Sequence, residues 1–169
     1  RRVLEERLKQ ALAQAALVLL AVKATALAAV CQQLKAILPA NTPVVACQNG
    51  LGVPELIKAQ LPNPVWQMIV PFNVVQDASG CYQQTSGGQL ICPSVPAVAP
   101  LLQACSRLGV PVQLTGDIRA AVYGKLLLNL NNALNAISDL PLYQQLNQRP
   151  WRLLLALLMQ EWLACCQAE

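Results

Sequence analysis

Histidine is entirely absent from this sequence of 169 residues. Its absence removes the most common general acid–base side chain, and with it the Ser-His and Cys-His nucleophilic mechanisms. The seven cysteines include no CxxC pair, and without histidine the zinc sites of the Cys/His type are excluded. We therefore predict no metal site. An odd number of cysteines, most of them within apolar segments, favours reduced thiols in a cytoplasmic protein.

Charge and aromatic rings are also scarce, since charged residues make up 12% of the sequence and aromatic residues 4%. The net charge of +4 comes from basic residues that are spread along the chain. Nucleic-acid binding requires a concentrated basic face with rings for stacking, so we predict none. No apolar run approaches the ~20 residues of a membrane-spanning helix, and a signal peptide is not indicated. The 55% hydrophobic content instead indicates a substantial core.

Short apolar runs alternate with helical periodicity in the first part of the sequence. Residues 17–22 and 44–47 are runs typical of strands that are buried on both faces. Residues 1–14, 25–38 and 53–60 have the apolar spacing of helices. Strands that alternate with helices indicate right-handed crossovers on a parallel sheet, so we predict an α/β fold.

Polar residues follow the two predicted strands directly. Lys23 comes after the first strand, and Gln48, Asn49 and Gly50 come after the second. Ligands of parallel sheets bind beyond the carboxyl ends of the strands, which is where these residues would lie. An Asn-Gly pair is also a common turn, because both residues tolerate left-handed backbone angles. A lysine at a strand end is likewise often exposed to solvent without any ligand. From the residues alone, both a ligand-binding role and a purely structural role stay open.

From residue 65 onward the pattern predicts a hairpin and then a gradual change to helices. The predicted elements are extended segments at 65–75 and 80–92, a helix at 97–108, a strand at 110–114, a helix from Asp117 to about residue 136 and a helix at 151–167. The α/β part of the chain is thus expected to end near residue 116.

The most informative stretch lies in the helix after Asp117, with the sequence YGKLLLNLNNA at residues 123–133. Lys125, Asn129 and Asn132 are spaced i, i+4 and i+7, so their side chains project from one face of the helix. A cation and two amides in so apolar a helix are costly to bury without partners. A ligand with a carboxylate and a carbonyl or hydroxyl group would satisfy all three. Alternatively, Lys125 extends to solvent and the asparagines bond to neighbouring backbone.

Three motifs, taken in order, resemble those of the ketopantoate reductase (2-dehydropantoate 2-reductase) family: LVLLAVKA at 17–24, QNGLG at 48–52 and DIRAAVYGKLLLN at 117–129. No GxGxxG motif occurs and the first residue is Arg1, so we interpret the sequence as an internal fragment of such a protein. The resemblance implies the C-terminal part of a Rossmann-type NADP-binding domain at residues 1–116. It also implies that residues 117–169 form the first helices of an all-α substrate domain.

The resemblance further implies an activity and a role for individual residues. The expected activity is the reduction of a 2-oxo acid with NADPH, from 2-dehydropantoate to pantoate in the pathway to pantothenate and coenzyme A. Lys125 resembles the general acid of the family, and Asn49 resembles the residue that contacts both cofactor and substrate. Asn129 resembles a substrate-binding amide, and Lys23 a cofactor-contacting lysine. Val75 resembles a residue that meets the cofactor through its backbone.

One position departs from the family pattern. The family often has a second substrate asparagine eight residues after the lysine, where this sequence has Ala133. Asn132 is the neighbouring substitute if the helix carries a local irregularity. Two alternatives therefore stay open: a related NADP-dependent dehydrogenase with another 2-oxo acid or an alcohol as substrate, or a non-catalytic Rossmann-like interaction protein. The expected partner is a small 2-oxo acid, and the resemblance is compatible with a homodimer of the full-length parent.

Overall fold

The structure is a computed structural model that describes residues 2–168, with the side chains of residues 6–168. It has a mixed α/β fold and divides into two compact units, with the boundary between Ile118 and Arg119. Short 3₁₀ helices at Ala24–Ala26 and Pro96–Val98 lead into the second and fourth α-helices. The elements of the first unit are α1 (Arg2–Ala13), β1 (Val18–Leu20), α2 (Leu27–Lys35), β2 (Val44–Ala46), α3 (Val53–Lys58), β3 (Val65–Gln67), β4 (Val74–Gln76), β5 (Tyr82–Gln84), β6 (Leu90–Pro93), α4 (Ala99–Arg107) and β7 (Val112–Thr115).

A parallel sheet in the order β1-β2-β3 forms the centre of the first unit. Its register aligns Leu20 with Ala46 and Ala46 with Gln67, which are the last residues of the three strands. The carboxyl ends of all three strands therefore lie at one edge of the sheet. The parallel sheet predicted from the alternation of strands and helices is confirmed.

The side chains of β2 alternate between two hydrophobic clusters. Val44 belongs to a cluster that includes Leu27 of α2 and Ile57 of α3. Val45 belongs to the other cluster, which includes Leu101 of α4. Helices thus cover both faces of β2, which explains why its sequence is a continuous apolar run.

The outer strand β1 differs from the prediction. Val18 and Leu20 are buried, but Leu19 between them is 45% exposed. Within the described sheet β1 pairs only with β2, so its other side is open and one of its faces is incompletely covered. The prediction that residues 17–22 form a strand buried on both faces is therefore wrong for the face that carries Leu19.

The predicted hairpin is confirmed only next to its turn, where β4 and β5 are antiparallel with Val75 opposite Gln83. The outer parts of the predicted extended segments belong to parallel pairings instead, β3 with β2 and β6 with β7. Asp77 organises the hairpin loop: the carboxylate oxygen Oδ1 accepts hydrogen bonds from the backbone N–H groups of Ser79 and Cys81, both at 2.9 Å. The same oxygen accepts the hydroxyl of Ser79 at 2.6 Å. These bonds hold the pKa of the Asp77 carboxyl below its usual range, with the bond from the Ser79 side chain as the largest cause.

The strands β6 and β7 pair in parallel with each other, and they run opposite to the strands of the three-stranded sheet beside them. Ile69, which follows β3, and Ile91 of β6 form an antiparallel bridge. Each donates its N–H to the carbonyl oxygen of the other, at 2.9 and 3.0 Å. The direction of β6 and β7 is therefore opposite to that of β1, β2 and β3.

The second unit is helical in the part that the structure describes. The two long helices at its start and end confirm the predicted ones, whereas the six-residue helix between them was not predicted, since so short a segment carries little periodicity. No helix among residues 2–168 combines the length and apolarity that crossing a membrane demands. The helices are α5 (Ile118–Ser138), α6 (Leu142–Asn147) and α7 (Arg149–Ala168).

Candidate functional site

The candidate site of the first unit lies at the edge where the parallel strands end. Lys23 follows β1 and Asn49 follows β2, and both residues are exposed. Gly50 has a φ of +112°, a backbone angle that L side chains rarely adopt, so the chain bends there after leaving the sheet. The predicted turn is therefore present, and it exposes Asn49 next to the strand ends.

Gln48 ties the end of β2 to the end of β1. Its side-chain Nε2 donates to the carbonyl oxygens of Leu20 at 3.0 Å and Val22 at 2.8 Å. Both N–H groups of the amide are therefore engaged, which fixes the orientation of its oxygen. That oxygen, Oε1, is buried and receives no hydrogen bond from the residues that the structure describes. Buried acceptors normally have a partner, so this atom distinguishes the edge from the rest of the core.

Gln67 holds the bend itself. This last residue of β3 is 7% exposed, and its Nε2 donates to the carbonyl oxygens of Gln48 at 3.1 Å and Gly50 at 3.0 Å. These carbonyl groups belong to the residues on either side of Asn49. One buried amide therefore satisfies the backbone on both sides of the exposed asparagine.

Val75 occupies a different position from the other predicted cofactor contacts. It lies in β4 of the hairpin, which forms a separate two-stranded sheet, and it is 54% exposed. Lys23 and Asn49, by contrast, follow neighbouring strands of the parallel sheet. The structure thus groups two of the three residues at one edge and places the third on the hairpin.

The second unit carries Lys125, Asn129 and Asn132 on α5. The helix is uninterrupted α-helix over these residues, so the three side chains project from one face as the spacing predicts. Lys125 and Asn129 are half-buried, whereas Asn132 is exposed. Because α5 has no irregularity here, Asn132 does not take the helical position of Ala133.

Burial changes the chemistry of Lys125. Desolvation lowers the pKa of its ammonium group below the ordinary value, because burial disfavours the charged form. An ammonium group with a lowered pKa transfers its proton more readily to an oxygen that gains negative charge. The half-buried amide of Asn129 lies one turn further along the same face.

A buried amide network connects α5 to α6. Gln145 is 0% exposed, and its Nε2 donates to Oδ1 of Asn131 at 2.9 Å. Its Oε1 accepts from Asn135 Nδ2 at 3.0 Å and from Ser138 Oγ at 3.3 Å. Asn135 also donates to the carbonyl oxygen of Leu140 at 2.6 Å. The network therefore fixes the turn that follows α5.

Neither this network nor the two glutamine amides of the first unit were predicted from the sequence. In most of these hydrogen bonds the donor and the acceptor residue are separated by 10 to 28 positions in the sequence. No local sequence pattern therefore predicts them. The only local signal is that Gln48 and Gln67 stand next to apolar strands. A buried polar residue at a strand end is a weak indicator, since strand ends commonly reach solvent.

Comparisons with known proteins cover most of the chain. The family model described as ketopantoate reductase PanE/ApbA matches residues 2–97, which is more than half of the chain. A crystal structure of a PanE/ApbA family ketopantoate reductase from Ralstonia eutropha JMP134 is 26% identical, with a TM-score of 0.80. The similarity covers 95% of this chain and 54% of that one. A comparison with curated proteins gave no match.

Two further solved structures share the fold. The dimeric ketopantoate reductase from Staphylococcus aureus is 23% identical with a TM-score of 0.72, over 90% of this chain and 52% of that one. D-mandelate dehydrogenase, solved with NADH and anilino(oxo)acetate, is 19% identical with a TM-score of 0.72, over 86% and 50% of the two chains. The chain thus spans about half the length of these structures. Its match to the family model places the chain in the ketopantoate reductase PanE/ApbA family.

Proposed function

We propose that the full-length protein reduces a 2-oxo acid with NADPH, with 2-dehydropantoate as substrate and pantoate as product. Family membership supports a nicotinamide-dependent oxidoreductase. The observation that carries the proposal is the half-buried Lys125, whose pKa is lowered by desolvation and whose helix face also carries Asn129. This combination supplies a proton donor and a hydrogen-bonding amide from one face of α5.

The residues at the sheet edge fit a nicotinamide cofactor, which when bound supplies a hydride. Lys23 would place a positive charge near the cofactor phosphates, and Asn49 would offer an amide donor and acceptor beside the strand ends. The buried oxygen of Gln48, which receives no hydrogen bond within the described part of the chain, fits an edge that a bound molecule completes. Val75 is a further candidate, through its backbone in β4. The sequence holds no GxGxxG turn, so these residues account for only part of such a site.

In the proposed reaction Lys125 acts as the general acid. Its Nζ gives a proton to the 2-oxo oxygen as that oxygen gains negative charge, and the pKa lowered by burial makes the transfer easier. Asn129 donates a hydrogen bond from its half-buried amide, which orients the substrate against Lys125. Asn132 lies exposed on the same face but, in the regular helix α5, does not take the position of Ala133, so no role in this step is assigned to it.

Replacement of Lys125 tests the proposal in the full-length protein. Lys125→Ala should lower kcat by about 10²–10⁴-fold, the usual contribution of a general acid, while the Kd for NADPH stays nearly unchanged. Lys35→Ala, an exposed lysine in the last turn of α2, is the matched control and should keep wild-type activity. An unchanged kcat in Lys125→Ala would show that the proton comes from another group.

A second candidate is a reductase for another 2-oxo acid or an alcohol dehydrogenase of the same family. Ala133 favours it, because this exposed position of α5 carries no amide for the substrate. The values of kcat/KM for 2-dehydropantoate and for other 2-oxo acids, measured on one preparation, separate the candidates. Ala133→Asn should raise kcat/KM for 2-dehydropantoate selectively if that is the natural substrate. Turnover on none of them would favour the non-catalytic alternative.

We also propose a cytoplasmic homodimer. The relative from Staphylococcus aureus is dimeric, which supports the assembly. All seven cysteines are free, in keeping with a reducing compartment. Light scattering of the purified full-length protein tests the assembly, and a monomer at micromolar concentration would contradict it.

A further inference from the structure

We propose that Gln67 is a positioning residue: it fixes the backbone around Asn49 so that the Asn49 side chain is oriented for contact with the cofactor. The proposal rests on the cofactor-binding function proposed for Asn49 and extends it to a residue in the sheet. Gln67 itself contacts neither cofactor nor substrate in this proposal. It acts through the two backbone carbonyl groups that it binds, those of Gln48 and Gly50.

The register of the sheet explains how Gln67 reaches the bend. Gln67 is paired with Ala46, which is two residues before Gln48 in the neighbouring strand. Both residues are buried, Ala46 at 0% and Gln67 at 7% exposure. The amide of Gln67 therefore meets the chain just where it leaves β2.

The two bonds restrict the backbone around Asn49 from both sides. The carbonyl of Gln48 belongs to the peptide unit before Asn49, and the carbonyl of Gly50 to the unit after Gly50. Peptide units are planar, so fixing both leaves few free dihedral angles between them. The unit before Asn49 is anchored a second time, because the side chain of Gln48 is bonded to Leu20 and Val22.

Only a donor of two hydrogen bonds can hold this position. Two carbonyl oxygens converge on one nitrogen, so an apolar side chain of the same size would leave both without that partner. An ionised glutamate has the same shape but no N–H group, and its oxygens would repel the carbonyls. A residue that only filled space would tolerate both replacements.

The first test does not depend on any enzymatic activity. An Asn-Gly pair deamidates when the backbone nitrogen of Gly50 attacks the side-chain carbonyl carbon of Asn49 and ammonia leaves. Water then opens the resulting ring to aspartate or isoaspartate. The attack requires rotation of the backbone between the two residues, which the bonds from Gln67 restrict.

We expect Gln67→Met to deamidate at Asn49 about tenfold faster than wild type, since the loss of two hydrogen bonds makes the open conformation more populated. Peptide mass spectrometry of the aged full-length protein measures the rate. The matched control is Gln60→Met, because among the described residues the amide of Gln60 bonds only to the carbonyl of Leu56, at 3.3 Å, near the end of α3. Equal rates in Gln67→Met and Gln60→Met would overturn the proposal.

The second test concerns the cofactor. In the full-length protein Gln67→Met and Gln67→Glu should each raise the Kd for NADPH by about tenfold, while kcat at saturating NADPH changes much less. Gln60→Met should bind like wild type, and thermal melting shows which variants are folded. Normal NADPH affinity in folded Gln67→Met would overturn the link to the cofactor.

The two tests separate failure of this proposal from failure of the proposed function. A wild-type protein that does not bind NADPH would refute the cofactor-binding role of Asn49, yet the deamidation rates would still decide whether Gln67 restrains it. Conversely, a wild-type protein that binds NADPH, with no effect of Gln67→Met on either measurement, would refute only the positioning role.

Discussion

The indole N–H of Trp162 donates to the backbone carbonyl oxygen of Tyr123 at 3.3 Å, and the centroids of the two rings lie 5.5 Å apart. Tyr123 precedes Lys125 by two residues on α5, and Trp162 belongs to α7. The guanidinium group of Arg119 lies 5.3 Å from the centroid of the tyrosine ring and donates to its hydroxyl at 3.1 Å. The segment that carries the proposed general acid is thus supported by the last helix.

This contact predicts a graded loss of stability on replacement of Trp162. Trp162→Ala should lower the free energy of unfolding by about 3 kcal/mol, because it removes ring packing as well as the hydrogen bond. Trp162→Phe keeps a ring and should lower it by about 1 kcal/mol. Urea unfolding of the full-length protein measures both values. A Trp162→Ala protein as stable as wild type would contradict the contact.

The lowered pKa of Lys125 predicts a specific pH dependence of stability. Between that lowered value and the ordinary value of 10.5, the unfolded chain binds more protons than the folded one, so the free energy of unfolding rises with pH. The difference in stability between wild type and Lys125→Met isolates this effect. It should shift in favour of wild type as the pH rises and become constant above the ordinary value. A difference that is independent of pH would refute the desolvation of Lys125.

The amide network predicts that replacing two neighbouring glutamines of α6 changes the stability by very different amounts. Gln145→Ala should lower the free energy of unfolding by about 3 kcal/mol, since it leaves a cavity and removes the partners of Asn131 and Asn135. Gln144→Ala should change it by less than about 0.5 kcal/mol, because Gln144 is exposed. Thermal or urea unfolding of the two variants provides the comparison. Similar effects of both would mean that the network adds no stability.

The cysteines should differ in their reactivity towards iodoacetamide. Burial raises the pKa of the Cys47 and Cys92 thiols to about 11, so little thiolate forms at mildly alkaline pH. Cys81 and Cys165 are exposed and should be alkylated first. Cys47 is only half-buried, yet it should react much more slowly than these two. Peptide mapping by mass spectrometry gives the order, and rapid labelling of Cys47 in folded protein would contradict the prediction.

Much of the α/β architecture follows from the sequence because its signals are local. The continuous apolar run of β2 predicts a strand covered on both faces, and Val44 and Val45 do pack into two different clusters. The same inference fails for Leu19, since a run of apolar residues does not reveal whether a strand lies at the outside of a sheet. The helical spacing of Lys125 and Asn129 likewise predicts their shared face on α5.

The supporting residues of the candidate site could not be predicted, because their roles depend on long-range bonds. Gln48 and Gln67 lie 19 residues apart, and only the parallel register brings them to the same edge. Gln145 is buried through contacts with another helix, although its own helix has only six residues. The roles of Lys23, Asn49, Val75 and the residues of α5 toward cofactor and substrate stay predictions.

The bridge between Ile69 and Ile91 has a consequence for where the chain tolerates added residues. Because β6 runs against β3, the segment that enters β6 lies beyond the edge at which the parallel strands end. A Cβ atom added at Gly88 would lie 2.8 Å from Cγ of Pro71, so the backbone at Gly88 is already packed closely against Pro71. Insertions near Gly88 should therefore disturb this edge of the sheet.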